Sequence, residues 1–381
     1  MNSYSQDFQD FGSVTWLNAA SEGPLPVVAK EALLEAVAWK SAVYQLDIPK
    51  FVRVPLELKK SIGELLHVDH QDVVLANSAT YGLQLLADGL PWKPGDDVLL
   101  MENDFPTDIL PWLALTERDV SVRQVKPKNW IFTPEELEES LLPQTRVVCL
   151  SHVHTFSGHM LDAAKIASIC RRHGVIFVLN VVQSLGNRPV DVGALGADAV
   201  VAVGYKWLCG PYGTGFCWFK PDLRKNLRVN RAYWSAYLTQ EELLSEGPLV
   251  RKKLDSARML DVYGTANFFN FVPLNAAIRY WLTISLEEVQ RYNARLVNRI
   301  FEELDPELYD IISPGPVEQR TNLVVVSHKD PACNERLHRS LLDRQIYTAF
   351  WKGRIRIAPH VYNDESQIQR LVDFLNQEGA K

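Results

Sequence analysis

The chain has 381 residues, 47% of them hydrophobic and 23% charged, with a formal net charge of −6. That balance describes globular material large enough for two domains, and its acidity argues against a nucleic-acid partner, as does the lack of a long basic run. No apolar run approaches the roughly 18 residues of a membrane span, and the polar, acidic opening MNSYSQDFQDFGSVTW has the pattern of neither a secretory signal nor a transit peptide.

Five cysteines (Cys149, Cys170, Cys209, Cys217 and Cys333) form no CxxC pair and no metal-ligand cluster. A reduced, cytoplasmic protein with no metal and no membrane association is therefore expected.

In chain order, short apolar runs alternate with helix-period stretches through the first two-thirds. Strands are predicted at Val73–Ala76, Asp97–Met101, Val147–Leu150, Ile176–Leu179, Ala199–Val203 and Gly215–Phe219. Helical stretches fall at Tyr81–Gly89, Ile109–Thr116, Thr133–Leu142 and Ala163–His173. Thr133-Pro134-Glu135-Glu136 opens one of them with an N-cap residue, a proline in the first turn and early acidic side chains. Such alternation predicts an α/β fold, a mostly parallel sheet between helices. After about residue 270 a smaller α+β unit is expected. It comprises a long helix Pro273–Leu304, a strand Asn322–Ser327, a helix Ala332–Arg344, a strand Ile355–Ala358 and a helix Asp364–Glu378. The division expected is 1–20 as an N-terminal segment packing on the small domain, 21–270 as the large domain and 271–381 as the small one.

Ligands of such sheets sit outside the carboxyl ends of the strands. Polar clusters fall at five of those ends: Ser78–Thr80, Phe105–Asp108, Ser151–Thr155, Asn180–Gln183 and Tyr205–Lys206. Lys206 is the most informative, because burial after an apolar strand disfavours its charge and lowers its pKa, as a Schiff-base lysine requires. A lysine snorkelling to water from a strand end is the plain alternative. Asn77-Ser78-Ala79-Thr80-Tyr81-Gly82 follows a strand and opens a helix, which is either simple N-capping or an anion site. In Gly353-Arg354-Ile355-Arg356 the alternation puts both arginines on one strand face, suited to a carboxylate or to surface ion pairs.

These motifs, in this order, resemble the class V aminotransferases, fold-type I enzymes that use pyridoxal phosphate (PLP). The resemblance runs from Trp16-Leu17-Asn18 to Tyr362-Asn363. It is strongest over Gln183…Pro189-Val190-Asp191…Gly196-Ala197-Asp198, Lys206-Trp207-Leu208-Cys209-Gly210-Pro211-Tyr212-Gly213-Thr214-Gly215 and Arg356-Ile357-Ala358-Pro359-His360. It implies that Lys206 holds the cofactor and shuttles the Cα proton. Ala79, Thr80 and Tyr205 would bind the phosphate, Phe105 would stack on the ring within a kynureninase-like Phe105–Asp108 element, and Gln183 would face the phenolic oxygen. Thr155 and Trp234 would complete the cofactor site, and Thr265 would reach a neighbouring subunit's cofactor, which implies a homodimer with its active site at the interface. Arg356 would grip the α-carboxylate of an amino-acid substrate, with His154 as a further contact.

The family carries an aspartate at position 180, where it pairs with the ring nitrogen; this chain has Asn180. A neutral amide supplies no charge, so a weaker electron sink is expected, at a cost of roughly 1.5–3 kcal/mol to the protonated ring. That shifts the expected balance from transamination towards elimination, replacement or epimerisation. A desulfurase carries a nucleophilic cysteine on a loop shortly before the carboxylate arginine, and Leu341–Gly353 contains none. The resemblance thus implies an aminotransferase or a Cα/Cβ lyase. An epimerase or cyclase, or a catalytically silent binding protein, stand as alternatives.

Overall fold

A computed structural model describes residues 4–228, 233–250, 256–264 and 267–381. Seven strands form the main sheet: β1 (Val73–Ala76), β2 (Asp97–Met101), β3 (Ser121–Val125), β4 (Thr145–Ser151), β5 (Ile176–Asn180), β6 (Ala199–Val203) and β7 (Gly215–Phe219). Their order is β1-β7-β6-β5-β4-β2-β3. Only β7 runs against the rest, pairing antiparallel with both β1 and β6. The central strands are continuously apolar because helices cover both faces. Val74, Val98, Val147, Val178 and Val201 pack with Leu83, Leu86 and Trp112 on one side. Their chain neighbours Leu75, Leu99, Val148, Leu179 and Val200 pack with Leu58, Ile62, Ile166 and Trp281 on the other. Between β2 and β4 the strand order reverses, and the crevice outside their carboxyl ends is where such sheets take ligands.

A second sheet contains four antiparallel strands in the order Ala349–Trp351, Arg354–Ile357, Val324–His328, Tyr309–Ile311. Near the N-terminus, Thr15–Trp16 pairs in parallel with Ile346–Tyr347, and Asn18 bridges to Ala358. This strap carries Asn18 and Ser21 to the end of the strand that bears Arg356. Among the described residues, no helix is long and apolar enough to cross a membrane.

Several elements differ from those expected. The single helix Pro273–Leu304 is two, Phe268–Ile284 and Leu286–Glu303, because Ser285 takes a left-handed φ of 72° and its side chain caps the second by accepting from Glu288 N–H. The expected domain boundary at 270 falls inside the first. The stretch Ile109–Thr116 is not one helix: after a 3₁₀ turn (Pro106–Asp108) it divides into a four-residue helix (Leu110–Leu113) and a second 3₁₀ turn (Ala114–Arg118), with a proline in the first turn of the first two elements. Two helices before β1, Val27–Ser41 and Ile48–Leu66, and the edge strand β3 were not expected.

Candidate active site

Lys206 follows β6 and is 8% exposed. Its backbone is fixed by close packing: a Cβ on Gly23 would lie 2.1 Å from the Lys206 carbonyl oxygen, while Gly23 N–H donates to Tyr205 O at 2.9 Å. Only glycine permits that approach. Lys206 Nζ lies 5.2 Å from the centroid of the Phe105 ring, and no hydrogen-bond or ion-pair partner for it is found among the described residues. Burial first, and then the nearby Arg356 cation, push its pKa down to about 7, against a smaller opposing pull from Asp108. Near neutrality Lys206 is therefore a buried amine with a substantial unprotonated fraction.

The same cavity is lined by Ser78, Ala79, Thr80, Phe105, Thr107, Ser151, Thr155, Asn180, Val182, Gln183, Val203 and Tyr205. Ser78 caps the eleven-residue helix Ala79–Gly89, accepting from Tyr81 N–H at 3.3 Å. The first-turn N–H groups of Ala79 and Thr80 have no intrahelical partner and sit at the positive end of the helix dipole. Thr80 Oγ1 and Thr107 Oγ1 are 3.1 Å apart. Gly215, at the start of β7, abuts this turn; a Cβ there would meet Ala202 O at 2.8 Å and Ser78 N at 2.9 Å. Gln183 accepts from Trp207 Nε1 (2.8 Å) and donates to Ala20 O (3.1 Å), leaving one amide N–H for a ligand.

Arg356 is 3% exposed. One of its terminal nitrogens, Nη2, donates to Ser21 Oγ (2.7 Å) and Asn18 Oδ1 (3.4 Å). Its buried Nε has no partner, and no carboxylate pairs with it among the described residues. Burial lowers its pKa to about 10. A buried, positively charged fork without an anion is costly on its own and suited to an anionic ligand.

Asn180 does not stand alone. Val182 N–H donates to its Oδ1 at 2.9 Å, which fixes the amide's orientation. Its Nδ2 then faces the buried Asp108 carboxyl, donating at 2.8 Å to Oδ1 and 3.0 Å to Oδ2. Ser151 Oγ bridges Asp108 Oδ2 (2.9 Å) and Asp104 Oδ1 (2.7 Å). Asp104 also accepts from the backbone N–H groups of Phe105 (2.7 Å) and Ser151 (2.9 Å). Burial, then the charge of Asp104, push the Asp108 pKa up to about 8.

Of the residues singled out from sequence, Ala79, Thr80, Phe105, Thr155, Asn180, Gln183, Tyr205 and Lys206 share one cavity. Asp108 sits behind Asn180, and Arg356 is near enough to act on Lys206. His154 offers no free nitrogen: Nδ1 contacts Ser157 Oγ (2.8 Å) and Nε2 contacts Asn103 O (3.1 Å). Trp234 is 55% exposed, on a short helix outside the cavity. Thr265 lies outside the described residues. Thr107 falls within the Phe105–Asp108 cluster; the sequence reading missed Asp104, a single polar residue in an irregular loop with no periodicity to mark it.

Chemically, the cavity offers one amine base over an aromatic ring and a helix N-terminus for an anion, and the buried Arg356 guanidinium, close enough to act on Lys206, suits a second anion. A family model described as Aminotransferase class-V matches residues 27–371. The chain is 24% identical to a probable cysteine desulfurase of Methanothermobacter thermautotrophicus, over 95% of this chain and 94% of that protein. It is 25% identical to an isopenicillin N epimerase of Amycolatopsis lactamdurans, over 96% and 95% respectively. Among solved structures, the cystine C-S lyase C-DES in complex with its product cysteine persulfide superposes with a TM-score of 0.85 at 23% identity, covering 95% of this chain and 97% of that one. An apo cysteine desulfurase from Thermococcus onnurineus does so with a TM-score of 0.85 at 20% identity, covering 99% and 98%.

Proposed function

The chain belongs to the class-V aminotransferases, enzymes that use pyridoxal 5'-phosphate, and from that premise we propose that it is a lyase acting at Cβ of an amino acid through Lys206. The carrying observation is a buried Lys206 amine with no hydrogen-bond or ion-pair partner among the described residues, near a buried Arg356 whose Nε is unpartnered and which meets no carboxylate there. The residues present fit the cofactor. Lys206 Nζ would attach its aldehyde carbon, Phe105 would cover a ring face, the Ser78–Thr80 turn with Tyr205 would hold the phosphate, and the spare Gln183 N–H would meet the phenolic oxygen. Bound there, the cofactor supplies an electron sink for negative charge at the substrate Cα.

The protein's own part follows from its electrostatics. Arg356 holds the α-carboxylate and so fixes which Cα bond faces Lys206. Burial is the larger cause of the low Lys206 pKa and the Arg356 cation the second; pairing with that carboxylate offsets the second, so the lysine becomes a stronger base once substrate is seated. Lys206 then takes the Cα proton, and the Cβ substituent departs with the electron pair of its bond.

Two observations separate this from neighbouring chemistries. No cysteine lines the cavity, four of the five are buried elsewhere, and Cys333 opens a helix beside Asp330. A sulfur substituent would therefore leave into solution rather than onto a protein thiol. Among the described lining residues Lys206 is the sole amine or imidazole. That supports chemistry on one face of Cα over a two-base epimerisation.

We also infer a homodimer. Val28, Leu34 and Val37 on Val27–Ser41, and Val52 and Leu56 on Ile48–Leu66, are large apolar side chains left exposed, a face suited to a second copy.

A panel of amino acids carrying β-leaving groups, with cystine and cysteine among them, tests the lyase reading. The expected result is keto acid and ammonia in equal amounts with the released substituent, and no protein-bound persulfide. Conversion of the cofactor to its amine form without ammonia would make the enzyme an aminotransferase instead.

A further inference from the structure

The residue at position 180 is neutral, yet the hydrogen-bond network behind it is not. Asn180 spends its Oδ1 on Val182 N–H and its Nδ2 on Asp108, so the amide cannot turn. The order Val182 N–H, Asn180, Asp108 therefore has a fixed polarity, with a carboxyl group at its far end. Asp108 is 1% exposed and Asp104 is 3% exposed. The titratable groups around Asp108 are Asp104 on the loop after β2, the Cys149 thiol on β4 and Lys206 after β6. The helix Ala79–Gly89 presents the Thr80 hydroxyl to this turn, through Thr107.

Proton counting sharpens the picture. Ser151 Oγ has one proton but sits within hydrogen-bond distance of carboxyl oxygens of both Asp104 and Asp108. It can donate to one and must accept from the other, so one of the two carboxyls carries a proton. With burial and Asp104 both pushing the Asp108 carboxyl towards its neutral form, the chain runs Asp108 O–H to Ser151 O–H to Asp104 carboxylate. A basic nitrogen arriving in the cavity can gain a proton as this buried acid gives one up, the exchange passing through water. One neutral acid and one neutral base then become one ion pair, and no other reactant is needed.

We propose that Asp108, acting through Asn180, supplies the negative charge that stabilises the protonated ring nitrogen of the bound cofactor. Asn180 is the positioning residue of this pair: it lines the cavity, its Oδ1 keeps one lone pair beyond the Val182 N–H bond that could accept from a protonated ring nitrogen, and its Nδ2 is given to the carboxyl behind. The electron sink in this chain is thus restored from a second position rather than weakened by the amide. The inference rests on the cofactor reading of Lys206 given above.

The test uses holoenzyme loaded with pyridoxal phosphate labelled with ¹⁵N in the ring, read by ¹⁵N NMR across pH. In the unmodified enzyme the ring nitrogen is expected to be protonated at neutral pH. In Asp108→Asn its protonation constant should fall about ten- to a hundredfold, the worth of one charge-assisted hydrogen bond. The double variant Asp108→Asn/Asn180→Asp, which moves the carboxylate to the front position, should restore protonation. Equal ¹⁵N titrations for the unmodified enzyme and Asp108→Asn, both with cofactor bound, would overturn this proposal alone. Failure of the unmodified enzyme to bind the cofactor at Lys206 would overturn the lyase reading and this proposal together. Circular dichroism of the variants identifies any that is unfolded, and the double variant then decides alone: an unprotonated ring nitrogen in it counts against the proposal.

Discussion

Replacing Asp108 by asparagine should stabilise the cofactor-free protein at alkaline pH, an unusual outcome for a substitution at a buried polar site. The side chain is fully enclosed, and its pKa rises from an ordinary 3.8 to about 8. A raised acid pKa means that the folded state holds a proton which the unfolded chain has already lost. Its contribution is complete below the unfolded pKa and disappears as pH rises through the folded one. At about 1.4 kcal/mol per pH unit, the window between 3.8 and about 8 spans on the order of 5 kcal/mol. Asparagine matches the protonated acid in shape. Its oxygen can accept from Asn180 Nδ2 and its amide can donate to Ser151 Oγ, which keeps the chain to Asp104 intact. Urea unfolding of the cofactor-free protein at pH 6, 7, 8 and 9, in the experimenter's choice of buffers at fixed ionic strength, reads the effect. Relative to Asp108→Asn, the unmodified protein should lose stability with rising pH up to about pH 8 and then keep a constant deficit, the variant being the more stable protein at the alkaline end; Lys206, held down to about 7, adds an opposite slope common to both. Parallel profiles would refute the reasoning.

Trapping of Lys206 by pyridoxal phosphate and borohydride in cofactor-free protein should be half-maximal near pH 7, and Arg356→Met should move that midpoint upward by removing a cation. Arg356→Lys should weaken amino-acid binding, followed by spectral titration, by about ten- to a hundredfold, because a point charge replaces a planar fork. Gly215→Ala should cost about 1–3 kcal/mol in urea unfolding and weaken cofactor binding, since the new methyl meets backbone at Ala202 and Ser78. If the proposed homodimer forms through the exposed apolar side chains of Val27–Ser41, Leu34→Glu should give a monomer in sedimentation velocity where the unmodified protein gives a dimer.

The sheet was legible because its central strands are short, unbroken apolar runs ending in polar clusters. The site was legible to the same depth: Thr80, Phe105, Asn180 and Lys206 each stand at the end of such a run. What escaped the sequence had no local signature. β3 is a partly exposed edge strand, SVRQV, whose polar residues mask it. The helix Val27–Ser41 carries apolar side chains on its buried and its exposed sides alike, so its period is blurred. Ser285 breaks a helix without glycine or proline.

The charge behind Asn180 is the most instructive omission. Asp108 lies 72 positions from Asn180 and 43 from Ser151, and only the parallel packing of β4 and β5 beside the loop after β2 brings the three together. A motif comparison registers the missing aspartate at 180 and is blind to the carboxylate one residue deeper.

The central claim is that Lys206 is the cofactor's point of attachment. Borohydride reduction of the pyridoxal-phosphate-loaded enzyme, followed by peptide mass mapping, tests it most directly. The account predicts one phosphopyridoxyl group per chain, on the peptide containing Lys206 and absent from Lys206→Ala. A modified peptide carrying Lys59, the other lysine buried among the described residues, or no modified peptide at all, would contradict it.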